Sequence, residues 1–493
     1  MNLKELISDE RTSITGQGID NRAYSRTLRH LRSYNFWEGV DDAPHLWGHQ
    51  QAAIATVVAY LHGDKQIPER PEHTEAALLK LPTGTGKSGI IAILARCLPE
   101  VRRVLVLTPR TALTEQLLAD IRYRFWSHLG YEANGSALFT AEADVFGTTL
   151  DNVYVEQFLP KNVGMVVQHL GDQATDRAIL VGTHQALGDI RKTAQDPDDG
   201  GSAVAAALLA HIRDEFDLVI VDEGHYEPAI SWSRGVREFN LPTLLLSATP
   251  YRNDYKSFRV RGRYLFNFPY RQAVDGRIIR PADIIVPEGD VGPVVREAAI
   301  PQFVGILQKE LLERLREAER WFLNGVTPKV MVRGDDLETL TLLQTEINRV
   351  FETQAVVIHD RAKKTQQNRD MFTSVASALR SRPDAKFWIH QNKLMEGIDD
   401  PSFVAVAIFD LMGNARQLVQ QIGRATRYSR GEDGIPQAGW ILSTPANAER
   451  IRTTWERYQG YEDYAARNTA HIVTNEVTLP DRLLEYMAEY QYI

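Results

Sequence analysis

The clearest chemistry lies in residues 81–89, LPTGTGKSG, set between a short apolar run and a helix-period segment. A triphosphate needs many hydrogen-bond donors in a small volume, with no side chain in the way. Gly84 and Gly86 let the backbone turn its amides inward at a helix N-terminus, where the helix dipole favours an anion. Lys87 would reach the outer phosphates and the Ser88 hydroxyl would bind Mg²⁺. Thr83 and Thr85 belong to the same nucleotide-binding set. The usual spacing carries Gly or Ala where this chain has Leu81, and a glycine turn that happens to contain GKS is the bland alternative. A second signal is LVIVDEGHY, 218–226, an apolar strand ending in two carboxylates. Lying beside the phosphate loop, it would let Asp222 hold Mg²⁺ through water while Glu223 activates the attacking water. Alone, such a pair is more often the solvated start of a loop.

These groups need a scaffold that gathers them. Short β-rich apolar runs alternate with helix-period segments, which predicts parallel sheets covered by helices. Strands are expected at Ala77–Leu81, Arg103–Thr108, Ile179–Gly182, Leu218–Asp222 and Thr243–Ser247. Helical patterns fall at Lys87–Leu98, Thr111–Phe125 and Val204–Asp214. A second series opens with Phe303, Leu307, Leu311, Leu315, Ala318 and Phe322, an amphipathic helix. Strands are then expected at Lys329–Val332, Ala355–Ile358, Lys386–Ile389, Phe403–Phe409 and Gly439–Leu442. The reading is two α/β blocks in series, 46–285 and 286–445, with an N-terminal extension 1–45 and a helical C-terminal extension 446–493. PADIIVPEGDVGP, 281–293, rich in proline and glycine, marks the boundary. His62–Thr74 and Gln195–Ser202 read as surface loops, and Gly130–Gly171 as an insertion.

Composition narrows the classes. With 493 residues, 24% charged and 43% hydrophobic, the chain is neither collagen-like nor globally disordered. Its 56 basic and 64 acidic residues give a formal charge of −8, so a nucleic-acid partner must be held by a local basic strip and backbone amides. Cys97, the single cysteine, excludes an internal disulfide framework and a cysteine-rich zinc site. The N-terminus lacks an apolar signal core and no stretch approaches a membrane span, so a cytoplasmic protein with no membrane partner is expected. The last residues, EYMAEYQYI, carry no helix stop, and a longer natural chain is an open expectation.

Across 46–430 the ordered motifs resemble those of superfamily 2 helicases and translocases. LWGHQ, 46–50, is similar to the adenine-reading motif, which assigns Gln50 to ATP. VLVLTPRTALTEQ, 104–116, and ILVGTHQAL, 179–187, resemble motifs Ia and Ib, which implies that Arg110, Thr111 and Thr183 contact nucleic-acid phosphates. SATP, 247–250, resembles motif III, so Ser247, Ala248 and Thr249 would couple the ATP site to strand binding. KLMEGIDDP, 393–401, resembles motif V, placing Gly397 and Asp399 near the ribose. QQIGRATR, 420–427, resembles motif VI, with Gln420 at the nucleotide and Arg424 and Arg427 reaching the γ-phosphate from the second block. Gly224 stands where DEAD or DEAH members carry alanine, a small-for-small difference that activity is expected to survive.

LLLSATPYRND followed by YLFNFPYRQAVDGRIIRP, 264–281, resembles the restriction-enzyme branch, the motor subunits of type I and type III systems. The resemblance implies two RecA-like domains, ATP and Mg²⁺ as cofactors, and a hydrolase moving on nucleic acid, duplex DNA ahead of RNA. It further implies a motor of a restriction, phage-defence or repair assembly. An RNA-remodelling ATPase and a non-hydrolysing sensor or scaffold are the alternatives; intact Lys87, Ser88, Asp222, Glu223, Arg424 and Arg427 weigh against the last. Cutting chemistry is not visible: Asp384 and Lys386 read as a turn, His211 and His225 lack zinc partners, and a nuclease or other effector would come in trans. Trp455, Tyr458, Tyr461, Tyr464 and Tyr490 read as a packing face ahead of a base-stacking platform.

Overall fold

A computed structural model of the protein describes residues 20–38, 44–63, 76–130, 153–172, 175–196, 198, 200–224, 235–248, 260–288, 296–322, 325–363, 369–394, 400–411, 415–429 and 435–467. They divide into two compact units that part between Phe268 and Pro269, with the loop piece Pro82–Thr85 grouped with the second.

The first unit is built on β1 (Ala76–Lys80), β2 (Arg103–Thr108), β3 (Val153–Gln157), β4 (Arg177–Thr183), β5 (Leu218–Val221), β6 (Thr243–Ser247) and β7 (Val260–Asn267). Their order is β3-β4-β2-β5-β6-β1-β7, and each pairing is parallel. Runs such as VLVLT, AILVGT and LVIV are apolar without alternation because helices cover both faces of a parallel sheet. β1, β4, β5 and β6 are buried along their whole length.

The second unit holds β8 (Ala282–Ile285), β9 (Lys329–Arg333), β10 (Val356–Ile358), β11 (Met371–Phe372), β12 (Phe387–His390), β13 (Phe403–Ile408) and β14 (Gly439–Ser443). They are ordered β11-β10-β12-β9-β13-β14-β8, again in parallel. The helix Arg296–Glu319 buries Phe303, Leu307, Leu311, Leu315 and Ala318 on this sheet, the stripe its four-residue spacing predicts, with Phe322 packed beside them. The architecture is α/β, two parallel seven-stranded sheets with helices, of the RecA-like kind.

Four features differ from the sequence reading. The proline-rich boundary segment contains β8, whose Ala282 pairs with Gly439 of β14, so residues 269–285 belong to the second unit, not the first. Proline is tolerated there because β8 is an edge strand. The stretch read as an insertion contributes β3 and the helix Val163–Leu170. The helical pattern Thr111–Phe125 is interrupted by a wide turn at Asp120–Arg124. The carbonyl of Ile121 in that turn accepts hydrogen bonds from Arg96 Nη1 and Trp126 Nε1, both at 2.9 Å. Finally, the described parts of both extensions pack into the units. Asn21–Arg32 is a helix capped by the Asp20 carboxylate, tied to the first unit by Thr27 Oγ1 and His62 Nε2 at 3.0 Å.

At the other end, the helix Pro445–Arg467 buries Trp455, Tyr458 and Tyr461. Trp455 meets Tyr270 edge to face at 5.3 Å, and the Glu462 carboxylate accepts the Tyr270 N–H at 3.1 Å. The aromatic spacing is therefore a packing face at these three positions; Tyr490 lies outside the described residues. Among those residues no helix is long and apolar enough to cross a membrane. Truncating Trp455 to Ala should cost about 3–5 kcal/mol of stability, the usual loss for a buried large aromatic. Urea unfolding followed by circular dichroism checks this, and a loss below about 1 kcal/mol would mean the helix is a surface appendage.

Candidate nucleotide site and nucleic-acid edge

The loop Leu81–Lys87 leaves the carboxyl end of β1 and opens the helix Lys87–Cys97. Gly84 and Gly86 have φ of +87° and +79°, in the left-handed region where a side chain is strained. The Thr85 hydroxyl donates to Pro82 O at 2.8 Å, and Lys87 Nζ reaches back to Leu81 O at 3.1 Å. The ammonium thus lies over its own loop. Gln50 does not hold its amide out for a base: Oε1 accepts the Trp47 N–H at 2.9 Å and Nε2 donates to Gly86 O at 3.2 Å. A Cβ on Gly86 would come within 2.4 Å of that Nε2. Gln50 therefore braces the loop exit, and reading adenine would require it to give up these bonds.

The carboxylates arrive from β5. β6, the strand ending in Ser247, lies between β5 and β1 in the sheet. Two strand spacings, about 10 Å, separate β1 from β5, leaving room for phosphates and a hydrated ion. Leu81 N–H donates to Ser247 O, and Lys80 pairs in register with Ser247. Ser247 and Ala248 are buried in that intervening position. Asp222 is half-buried, accepting the Glu223 N–H at 3.0 Å, while Glu223 is only 9% exposed. A hydroxyl (Ser88) and a carboxylate (Asp222) form a hard-oxygen donor set suited to Mg²⁺, which keeps several waters and phosphate oxygens as its other ligands.

Glu223 has φ +52°, unusual for a side chain other than glycine. Such a conformation costs on the order of 1–2 kcal/mol and persists only where its surroundings enforce it. The next residue, Gly224, makes room for a close approach to β6. A Cβ at 224 would stand 2.9 Å from Leu245 Cβ and 3.3 Å from Leu245 Cα on β6. The exit from β5 thus runs so close to β6 that a methyl at 224 would force a shift, which concerns packing and leaves the expectation of surviving activity as it stands.

The same edge of the sheet carries the expected nucleic-acid contacts. β4 and β2 pair with Thr183 beside Thr108, and β2 and β5 with Leu107 beside Val221. Arg110 and Thr111 are exposed at the start of the helix Thr111–Ala119. Their turn is fixed by Thr108 and Thr114, whose hydroxyls hydrogen-bond to each other at 2.6 Å and each lie 3.2 Å from Arg110 O, to which the hydroxyl not donating to its partner donates. Sequence reading missed this brace, although two threonines six residues apart around a strand–helix turn are a visible cue. Thr183 is 8% exposed, and its hydroxyl accepts the Ala186 N–H at 3.0 Å as a helix cap, a structural duty the reading did not foresee.

In the second unit, Gln420 and Arg424 lie on the helix Ala415–Ala425, 5% and 7% exposed. Arg427 follows it, half-buried and bridged to Ile279. Their neighbour Gln421 donates toward His390 Nε2 at 3.3 Å, and burial pushes His390 down to about 3, so it is neutral at ordinary pH. Asp384 sits in the turn before β12, as the simpler reading of PDAK has it. Thr249, Gly397, Asp399 and His225 lie outside the described residues. His211 is 2.8 Å from Glu215.

Residues 44–252 match the family model described as type III restriction enzyme, res subunit. The UvrABC system protein B of Streptococcus pneumoniae (strain Hungary19A-6) is 27% identical over 249 residues, covering 45% of this chain and 34% of that protein. The chain thus spans about a third of the length of the curated relatives it matches. Among solved structures, the ATP-dependent Type ISP restriction-modification enzyme LlaBIII, bound to DNA, aligns with a TM-score of 0.49 at 16% identity, covering 82% of this chain and 28% of that one. The Mycobacterium smegmatis helicase Lhr, bound to ssDNA and AMP-PNP, aligns at 0.49 with 14% identity, covering 88% and 50%. The family-model match over residues 44–252 and the order of the motifs make this chain similar to the restriction-enzyme res subunits and, more broadly, to superfamily 2 helicases and translocases.

The close approach at Gly224 yields a direct expectation. Gly224→Ala should lose about 1–3 kcal/mol of stability from overpacking against β6. Unfolding of the variant beside wild type checks it, and an unchanged midpoint would show that β5 and β6 can part without cost.

Proposed function

We propose that the protein is an ATP-driven motor that tracks along nucleic acid, duplex DNA first, as the moving part of a restriction, phage-defence or repair assembly in the cytoplasm. One observation carries the reading: a glycine cradle with Lys87, the pair Asp222 and Glu223, and the exposed Arg110–Thr111 turn all stand at the carboxyl ends of one parallel sheet. That end is where open α/β sheets bind ligands. The duplex-DNA preference is supported by the restriction-enzyme family model over residues 44–252.

In this mechanism the amides around Gly84 and Gly86 hold the phosphates and Lys87 leaves Leu81 O to neutralise the outer ones. Ser88 and Asp222 would hold Mg²⁺, which supplies charge neutralisation on the β- and γ-phosphates when bound. Glu223, kept by its left-handed backbone at the strand end, orients the attacking water and accepts its proton. Arg424 and Arg427 would meet the charge developing on the γ-phosphate. Gln50, once released from Gly86 O, would pair with adenine. Gly397 and Asp399 would serve the ribose, and Ser247, Ala248 and Thr249 would pass the state of the nucleotide to the track. Arg110, Thr111 and Thr183 grip backbone phosphates, which carry no base information. Any cutting chemistry comes from an effector protein in trans.

Glu223→Gln should bind ATP yet turn over at least about a hundredfold more slowly, whereas Lys87→Ala should lose affinity and turnover together. Steady-state ATPase with fluorescent-nucleotide binding decides this, and wild-type turnover in Glu223→Gln would end the assignment. Measured without polymer and with duplex DNA, single-stranded DNA or RNA, hydrolysis should rise most with duplex DNA. Stimulation by RNA alone would favour the RNA-remodelling reading. Arg110→Ala should weaken DNA binding alike across sequences, lower the salt slope by about one contact and spare basal ATPase. An equal loss of basal and stimulated rates would remove Arg110 from the track.

A further inference from the structure

The segment DGRIIRP, 275–281, is not used by the proposed reaction, yet it contains a fully buried arginine. Arg280 is 0% exposed and forms no ion pair among the described residues. Its Nη1 has no hydrogen-bond partner there. Burying a guanidinium in this way is costly, and an apolar residue of similar volume would fill the space at less cost. What the guanidinium adds is a rigid fork of directed donors. Nε donates to Gln437 Oε1 at 3.0 Å and Nη2 to Pro401 O at 2.8 Å, with Cζ 4.9 Å from the Trp321 ring centroid.

The Arg280 backbone and its partner Gln437 lead to the residues around Arg427. The Arg280 N–H donates to Thr426 O, and Ile279 bridges Arg427 in antiparallel fashion. Gln437 holds the other side: Oε1 also accepts the Ser429 N–H at 3.0 Å, and Nε2 donates to Ser429 O at 2.7 Å. Ser429 Oγ in turn donates to Trp321 O at 2.8 Å, the backbone of the residue whose ring faces the guanidinium. Residues 426–429 are thus clasped before and after Arg427, while the bond to Pro401 O ties the same clasp to the end of the motif V segment.

We infer that Arg280, through Gln437, is a positioning residue that holds the Arg427 segment in the geometry needed for ATP hydrolysis. The inference rests on the role proposed above for Arg427. Arg280→Lys keeps the charge but replaces the planar fork by an ammonium, so the fixed pair of directed bonds to Gln437 and Pro401 is lost. Gln437→Leu leaves the guanidinium in place but removes its Nε acceptor together with the link to Ser429, and covers the case in which Arg280→Lys does not fold.

Hydrogen–deuterium exchange and ATPase kinetics test the clasp together in the full chain. In either folded variant, amides 426–429 should exchange faster, ATP affinity should stay within about twofold and kcat should fall at least about tenfold. Combined with Arg427→Ala, neither should lower kcat beyond Arg427→Ala alone, since both act through one group. Unchanged exchange at 426–429 overturns the clasp whatever the ATPase does. Faster exchange with wild-type kcat, or losses that multiply in the double variant, overturns the positioning role. Wild-type turnover in Arg427→Ala, where Arg280 is untouched, instead marks failure of the proposed arginine role. Positioning then falls with it, while exchange still reports on the clasp.

Discussion

Parallel pairing of the strands is the constraint on which the rest depends. A parallel strand cannot be joined to its neighbour by a tight hairpin, so each must be followed by a crossover, and every carboxyl end in a sheet faces the same way. In the first unit β1, β5 and β6 are apolar on both faces, so polar groups are pushed out to the strand ends. Lys87, Asp222, Glu223, Arg110 and Thr183 all follow or end strands of this one sheet. They come from separate stretches of chain, but the register of Lys80 with Ser247, Leu107 with Val221 and Thr108 with Thr183 puts them along one edge.

At that edge the molecule gives up local stability for geometry. Gly84 and Gly86 adopt left-handed backbone, and Glu223 does so with a side chain attached. The strain is held because β5 is paired on both sides, to β2 and β6, and Gly224 allows the exit from β5 to press against Leu245. The second unit shows the same device. A Cβ on Gly439 would lie 2.5 Å from Ala425 O, so the start of β14 runs directly under the end of the helix bearing Arg424. Close backbone approach in both units occurs next to the residues assigned to chemistry.

Much of the fold is legible because these strands are locally encoded. Arg103–Thr108 and Thr243–Ser247 have the bounds their apolar runs predict. β3, by contrast, is an edge strand, VYVEQ, buried only at Val155, and its polar setting hides it. β8 is hidden by the prolines that flank it. Asp120–Arg124 reads as plain helix because its wide turn is stabilised by Arg96, an arginine from a different helix. The candidate phosphate-loop residues 81–88 were legible by type and spacing, and their local context, strand then loop then helix, is as expected.

The sequence alone determined which groups are present and the order in which strands and helices deliver them. Those properties arise from neighbours along the chain: apolar periodicity, glycines in a turn, two carboxylates at a strand end. Tertiary structure decided that β6 separates β1 from β5, that Gln50 braces Gly86, that position 224 excludes a methyl and that Arg280 clasps the Arg427 segment. Each of these depends on contacts between residues far apart in sequence. Strand order and close packing are settled only when crossovers fold back onto the sheet, and no local pattern records the distance between two backbones that meet there.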